Sequence, residues 1–322
     1  TYFTLHGETV YVTVQDTHSL VEGITGGFTG KVNLENGEIE PVWLTTSYDL
    51  TSPIFVDNKV FLRTAESRIL CLSDLTDPKP VWEYQCQSWW AAPLNYFGEY
   101  IIFADGDPML EDTDVIALDK TSGKVVWTFP LQTRPSQHLV GDNRYVYIVI
   151  HNKCIVVLDV KTGHQVQEIT LPKIYCKPVL AGTMLYYFAR GSREDPDGYY
   201  QLHAVDTENF TPKYKKDVGA RVRIPPVVED DYIYIADEQS NIRAISTVDG
   251  NDAWSLTNAE EDVILTNLHH AGNKLLYGTY LGKVYSVTIH QPDQNEEDVT
   301  KLLEAEDFTS AAAVYALRGE FD

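Results

Sequence analysis

The feature that most restricts what this chain can fold into is a repeat. One half of the repeating unit is an apolar strand, a polar turn and a second apolar strand, written out in Ser52-Pro53-Ile54-Phe55-Val56-Asp57-Asn58-Lys59-Val60-Phe61-Leu62. The same cadence returns at 3–14, 92–103, 138–150, 178–188, 225–236 and 268–278, which makes seven copies. The other half is a strand ending near Leu-Asp, a glycine turn and a strand bearing an aromatic residue, as in Val115-Ile116-Ala117-Leu118-Asp119 followed by Gly123 and Trp127. Its counterparts centre on Leu34, Leu72, Leu118, Leu158, Val205, Ile245 and Val287, spaced 38, 46, 40, 47, 40 and 42 residues apart.

A period of about 40 to 50 residues with four strands per unit specifies a β-propeller, because one small sheet cannot cover both of its own faces and stacked neighbours can. The turns agree. Asn36-Gly37, Ser122-Gly123, Thr162-Gly163 and Asp249-Gly250 supply the positive-φ residues that tight hairpins need. Strands such as Cys154-Ile155-Val156-Val157-Leu158 are apolar on both faces, which suits sheets sandwiched between sheets. The expected fold is therefore all-β: a single propeller domain over residues 1–322, of four-stranded antiparallel blades. Seven blades are expected, with eight as the alternative, since Val314-Tyr315-Ala316-Leu317 repeats the motif 30 residues after Val287. Within the C-terminal segment 291–322 a short helix near 295–306 is expected, where Val299, Leu302 and Leu303 fall at i, i+3 and i+4, followed by a closing strand.

Charge narrows the partners. The chain carries 47 acidic against 25 basic residues, a net charge of −22, and so repels phosphates and anionic headgroups. Nucleic acid is not an expected partner, and neither is direct membrane insertion, because no apolar run approaches the roughly 20 residues that cross a bilayer. The chain opens at Thr1. An exported protein with its leader removed is favoured over a trimmed cytosolic one. Cys71, Cys86, Cys154 and Cys176 show no metal-type spacing and read as small buried residues, with their disulfide state left open.

Catalytic chemistry finds little support. His269 and His270 are adjacent on an expected strand, where neighbours point to opposite faces, so they do not share one metal. Phosphate-loop, GxSxG and HExxH motifs are all missing.

The phrases Val115-Ile116-Ala117-Leu118-Asp119-Lys120-Thr121-Ser122-Gly123-Lys124-Val125-Val126-Trp127 and Ile155-Val156-Val157-Leu158-Asp159-Val160-Lys161-Thr162-Gly163 resemble the repeat of pyrroloquinoline-quinone-type propellers, the quinoprotein-like family, and Gly250 with Trp254 keeps its glycine-to-tryptophan step. That family holds quinone-dependent dehydrogenases, scaffold proteins of outer-membrane assembly, and sensor or interaction domains. Its enzymes carry an adjacent cysteine pair beside the cofactor, and no two cysteines are adjacent here. The resemblance implies a member without a quinone.

The expected function is a non-catalytic interaction or scaffold module that holds a protein or peptide on one loop face. The alternative is an enzyme or small-ligand receptor using the central channel. The long links Gln15–Thr29, Asp105–Asp114 and Arg190–Gly198 all fall on the face joining second to third strands. Asp105, Asp107, Glu111, Asp112 and Asp114 offer enough oxygens for calcium, the one cofactor expected as an option. Trp89 and Trp90, with Tyr48 and Tyr175 in equivalent links, form a candidate aromatic patch, since tryptophan is enriched at binding hot spots. Arg221 and Arg223, at i and i+2, share a strand face and can clamp a carboxylate.

Overall fold

The computed structural model describes residues 2–289 except 7–8, 15–27, 34–37, 45–50, 65, 77–78, 88–91, 108–111, 132–134, 151–152, 171–173, 175, 192–198, 258–262, 265, 272–273 and 281–282. Every regular element among them is a strand. The strands form seven propeller blades, each an antiparallel meander in chain order. Contacts divide the chain into two compact units, residues 1–171 and 172–322.

The first unit holds four blades. Blade 1 comprises β1 (Tyr2–His6), β2 (Thr9–Val14), β3 (Phe28–Val32) and β4 (Ile39–Leu44). Blade 2 comprises β5 (Ile54–Val56), β6 (Lys59–Thr64), β7 (Arg68–Leu72) and β8 (Pro80–Gln85), and blade 3 comprises β9 (Asn95–Phe97), β10 (Tyr100–Asp107), β11 (Asp112–Asp119) and β12 (Val125–Pro130). Blade 4 comprises β13 (Pro135–Gly141), β14 (Tyr145–Ile150), β15 (Cys154–Asp159) and β16 (Gln165–Thr170).

The second unit holds three. Blade 5 comprises β17 (Val179–Ala181), β18 (Met184–Arg190), β19 (Tyr200–Asp206) and β20 (Thr211–Asp217). Blade 6 comprises β21 (Val227–Glu229), β22 (Tyr232–Ala236), β23 (Ile242–Ser246) and β24 (Asp252–Leu256), and blade 7 has three strands among the described residues, β25 (His269–Ala271), β26 (Lys274–Gly278) and β27 (Val284–Thr288). The expected helix at 295–306 and the closing strand at 314–317 lie outside the described residues.

The second and third strands of a blade are buried on both faces because alternate residues face opposite neighbours. In β10, Ile101 and Phe103 pack with Phe61, Ile69 and Cys71 of blade 2, whereas Ile102 between them packs with Val146 and Ile148 of blade 4. The second unit repeats this: Ile233 and Ile235 join Tyr186 and Phe188 of blade 5, and Tyr234 joins Leu275 and Tyr277 of blade 7. Each such side chain, fully buried, contributes about 1.5 to 3 kcal/mol. Outermost strands behave differently. Along β8 and β20 half-buried and exposed residues alternate, as a sheet edge with one wet side requires.

All six four-stranded blades carry a β-bulge at the same place, where the fourth strand pairs with the third. Cys71 pairs with Trp82 and Leu72 with Pro80, so Val81 is passed over; the same happens to Val126 and Val166. Those three valines are exposed, which the bulge explains, since a bulge bends the edge and leaves one residue unpaired. Such edges are poor templates for a second chain.

The same bulge aims a ring at the next blade. Trp82 Nε1 donates to the Lys120 carbonyl at 3.1 Å, Trp127 Nε1 to the Val160 carbonyl at 2.9 Å, and Tyr214 Oη to the Ser246 carbonyl at 3.3 Å. Under each ring lies the turn glycine of the following blade, Gly123, Gly163 or Gly250, at φ of 68°, 69° and 74°. The repeat's glycine and its aromatic residue are thus two halves of a contact between consecutive blades. The pair is not kept in every blade. Blade 4 has Gln167 at the ring position, and blade 5 has Phe210, at φ of 57°, where a glycine would stand. Blade 2 has Asp74-Leu75-Thr76 in place of the glycine turn, and the Trp43 indole N–H of blade 1 is buried without a hydrogen-bond partner among the described residues.

Candidate functional site

The face joining second to third strands is best defined in the second unit. A residue five positions before each innermost strand bridges to the end of the second strand of the same blade: Ile174 to Ala189, Val222 to Asp237, and Ile264 to Thr279. The Val222 bridge sets Arg221 and Arg223 on either side of it. Both guanidinium groups converge on Glu238, Arg221 Nε at 3.8 Å and Arg223 Nη2 at 3.7 Å from the same Oε2. The carboxylate that the sequence left unnamed for this clamp is therefore supplied from the same blade, two residues past β22. The Glu238 N–H also donates to the Arg221 carbonyl at 2.8 Å.

Asp237 beside it folds the turn. Its carboxylate accepts from the N–H groups of Gln239 at 2.9 Å and Asn241 at 3.0 Å, and Ser240 takes φ of 63°. Ser240 Oγ then accepts the N–H of Ile264 at 2.9 Å, and Val263 before it accepts the N–H of Tyr280 at 2.8 Å. A continuous hydrogen-bonded path thus runs from the arginine pair to two apolar residues that the core does not cover. Tyr280 is 69% exposed and Val263 is 47% exposed. Sequence reasoning missed both. The only signal was an aromatic residue, Tyr280, placed just past the second strand of the last repeat.

The acidic link of blade 3 is corrected by the ladder. β10 continues to Asp107 and β11 begins at Asp112, with Asp105 opposite Asp114 and Asp107 opposite Asp112, so only 108–111 remain between the strands. The strand runs on because the Asp105 charge is neutralised from the neighbouring blade. Arg63 is fully buried, with Nη2 3.2 Å from Asp105 Oδ1 and Nη1 donating to the Ala104 carbonyl at 3.0 Å. Asp105, 2% exposed, also accepts the Gln87 N–H on Oδ2 at 2.8 Å. Both of its oxygens are thus engaged within the protein. Among the described residues no three histidine, cysteine or acidic groups gather to hold a metal ion. Glu111 lies outside the described residues. So do the aromatic candidates Trp89, Trp90, Tyr48 and Tyr175.

The link expected to close at Thr29 ends one residue earlier. Thr29 is inside β3, buried, with its hydroxyl 3.0 Å from that of Thr13. In the third link, Arg190 ends β18 and its guanidinium lies 5.6 Å over the Tyr199 ring, while 192–198 lie outside the described residues. His269 is exposed and His270 is half-buried, stacked on Tyr234 at 6.1 Å, so the adjacent histidines do point apart. No disulfide joins the four cysteines. Burial pushes the Cys86 thiol up to about 12.

Comparison with known proteins follows this architecture. Of the curated proteins, the uncharacterized protein RC0314 of Rickettsia conorii is 21% identical over 199 residues, 55% of this chain, and the chain spans about half of it, 46%. Among solved structures, BamB from Moraxella catarrhalis superposes with a TM-score of 0.60 at 17% identity, covering 90% of this chain and 87% of that one. The computationally designed Ika8 protein gives 0.68 at 13% identity over 90% and 83%, and the Pan2 WD40 domain of Neurospora crassa gives 0.57 at 13% over 86% and 84%. These likenesses show the propeller fold alone. The family model described as outer membrane protein assembly factor BamB matches residues 6–173, 111–195 and 192–300, and with nearly every described blade inside those matches the chain belongs to that PQQ-repeat propeller family.

Proposed function

We propose that this protein is a non-catalytic interaction module that holds a protein or peptide partner on the face joining second to third strands, in an exported setting like the one its family description names. The observation that carries the reading is the exposed Tyr280 and Val263, tied through Ser240 to the Arg221, Arg223 and Glu238 cluster. Tyrosine and arginine dominate binding hot spots because each joins a broad apolar surface to a polar end. Support comes too from the strands beneath, which are buried on both faces and hold this rim rigidly.

Trp89 and Trp90 fall in a link of the same kind and are assigned to the same face in this reading. The test is capture of a partner from native extract by the wild-type chain and by Tyr280→Ala, Arg223→Ala, Trp89→Ala and Trp90→Ala. Tyr280→Ala and Arg223→Ala are expected to weaken capture about tenfold or more, with melting temperature unchanged. Equal capture by all of these variants would overturn the proposal.

A further inference from the structure

On the opposite face, consecutive blades of the first unit leave a groove, and the residue two positions after Leu72, Leu118 or Leu158 decides whether it is filled. Between blades 2 and 3 that residue is Lys120. Its ammonium reaches Asp57 at 2.5 Å, Glu99 at 3.0 Å and the Tyr96 hydroxyl at 3.2 Å, and so plugs the groove. Between blades 3 and 4 it is Val160, buried with Phe97 and Tyr100 packed against its cluster. Between blades 1 and 2 it is Asp74. This shorter side chain turns back on its own loop, accepting the Thr76 N–H at 2.7 Å and the Thr76 hydroxyl at 2.9 Å.

The groove between blades 1 and 2 therefore stays open as a cavity of about 240 Å³, with His6, Tyr11, Lys31, Phe55 and Lys59 in its walls. Phe55 lies between two rings, its centroid 4.4 Å from that of His6 at 15° and 4.7 Å from that of Tyr11. Neither lysine makes an ion pair with a described residue. Glu40, opposite Lys31 in the β3–β4 ladder, does not close on it, and Asp74 commits Oδ1 to its own turn while its charge faces Lys31 without an ion pair. In a chain of net charge −22, two ammonium groups against the one Asp74 carboxylate in the same lining leave this groove locally net positive beside an aromatic wall.

We propose that this groove binds a carboxylate carried on a small flat apolar group, with Lys31 and Lys59 taking the charge and the Phe55 stack taking the apolar part. The volume is below the roughly 300 to 1,000 Å³ of sites for drug-sized ligands, so the occupant is one or two side chains in size. A free aromatic acid and an acidic side chain beside an aromatic one on a peptide share this chemistry. The site lies at the turns joining first to second and third to fourth strands, and it does not depend on the partner assignment.

Titration calorimetry on the full chain with benzoate, and separately with the capped tetrapeptide Gly-Phe-Glu-Gly, tests it. Saturable binding of either probe at millimolar concentration is expected, weakened about tenfold in Lys31→Gln and Lys59→Gln with melting temperature unchanged. Benzoate alone binding identifies a free acid as the source, and tighter binding of the tetrapeptide identifies a peptide side chain. Asp74→Lys is the decisive variant, since it installs the plug that Lys120 provides next door while adding positive charge. A filled groove loses binding, whereas simple surface attraction gains it. No binding of either probe, undiminished binding in both lysine variants, or binding retained or strengthened by a folded Asp74→Lys overturns the proposal.

Discussion

Gly123 lies against the indole of Trp82 so closely that a Cβ built on it would stand 2.5 Å from Cδ2. With φ of 68°, the position excludes other residues twice, by backbone strain and by the ring above. Gly123→Ala is expected to cost about 2 to 4 kcal/mol, the sum of a left-handed alanine and a displaced ring. Trp82→Phe shrinks the indole to a phenyl ring and also loses the bond to the Lys120 carbonyl, so it is expected to cost about 1 kcal/mol more than its packing change. Urea denaturation of the two variants checks the order.

The Arg63–Asp105 pair is removed from water on both sides, and breaking it strands a charge. Arg63→Met and Asp105→Asn are each expected to lose about 3 to 5 kcal/mol, far beyond a surface pair. The Arg63→Met, Asp105→Leu double variant is expected to recover part of that loss, because the desolvation penalty goes with both charges. Denaturation midpoints of the four chains measure the recovery.

Buried thiols do not react. Burial raises Cys71 and Cys154 above the usual thiol value and takes Cys86 to about 12, so almost no thiolate is present near neutrality. In the native chain at about pH 8, an aromatic disulfide reagent is expected to label these three only as fast as the protein unfolds. Guanidinium should expose all four cysteines at once. Mass spectrometry of labelled peptides gives the comparison.

The Ser122 hydroxyl, with the N–H groups of Ser122 and Thr121, holds the Asp119 carboxyl below its ordinary 3.8, against a smaller opposing effect of burial. A depressed folded value adds stability above the unfolded pKa, about 3.9, and that stability is lost as pH falls through the folded value. Ser122→Ala is expected to raise the Asp119 pKa toward 3.8 and to lower melting temperature most near neutrality. The difference between the two proteins should shrink as pH falls through the depressed folded value of Asp119. Carboxyl titration by NMR and melting curves across pH test both halves.

Blade number and blade contents were readable because the repeat is local: Leu118, Gly123 and Trp127 sit within one stretch of chain. What they do was not readable. Gly123 belongs under Trp82, made one blade earlier, and no spacing within a repeat reveals a contact between repeats. The carboxylates from Asp105 to Asp114 looked like an open acidic link because acidity can be read locally, whereas Arg63, which neutralises Asp105, comes from 42 residues away. Arg221 and Arg223 were found by their spacing, since a two-residue step always shares a strand face. Glu238 was not, for it meets them only through the Val222–Asp237 bridge.

The rings of the outer strands always reach forward. Trp82 meets a carbonyl 38 residues later in the chain, Trp127 one 33 residues later, and Tyr214 one 32 residues later. A ribosome therefore finishes each ring before its seat exists. While the chain grows, the most recent blade shows a bare indole or phenol at its rim, and the next glycine turn to emerge covers it. For blades 2, 3 and 5 chain order and docking order then coincide, and each is closed by its successor.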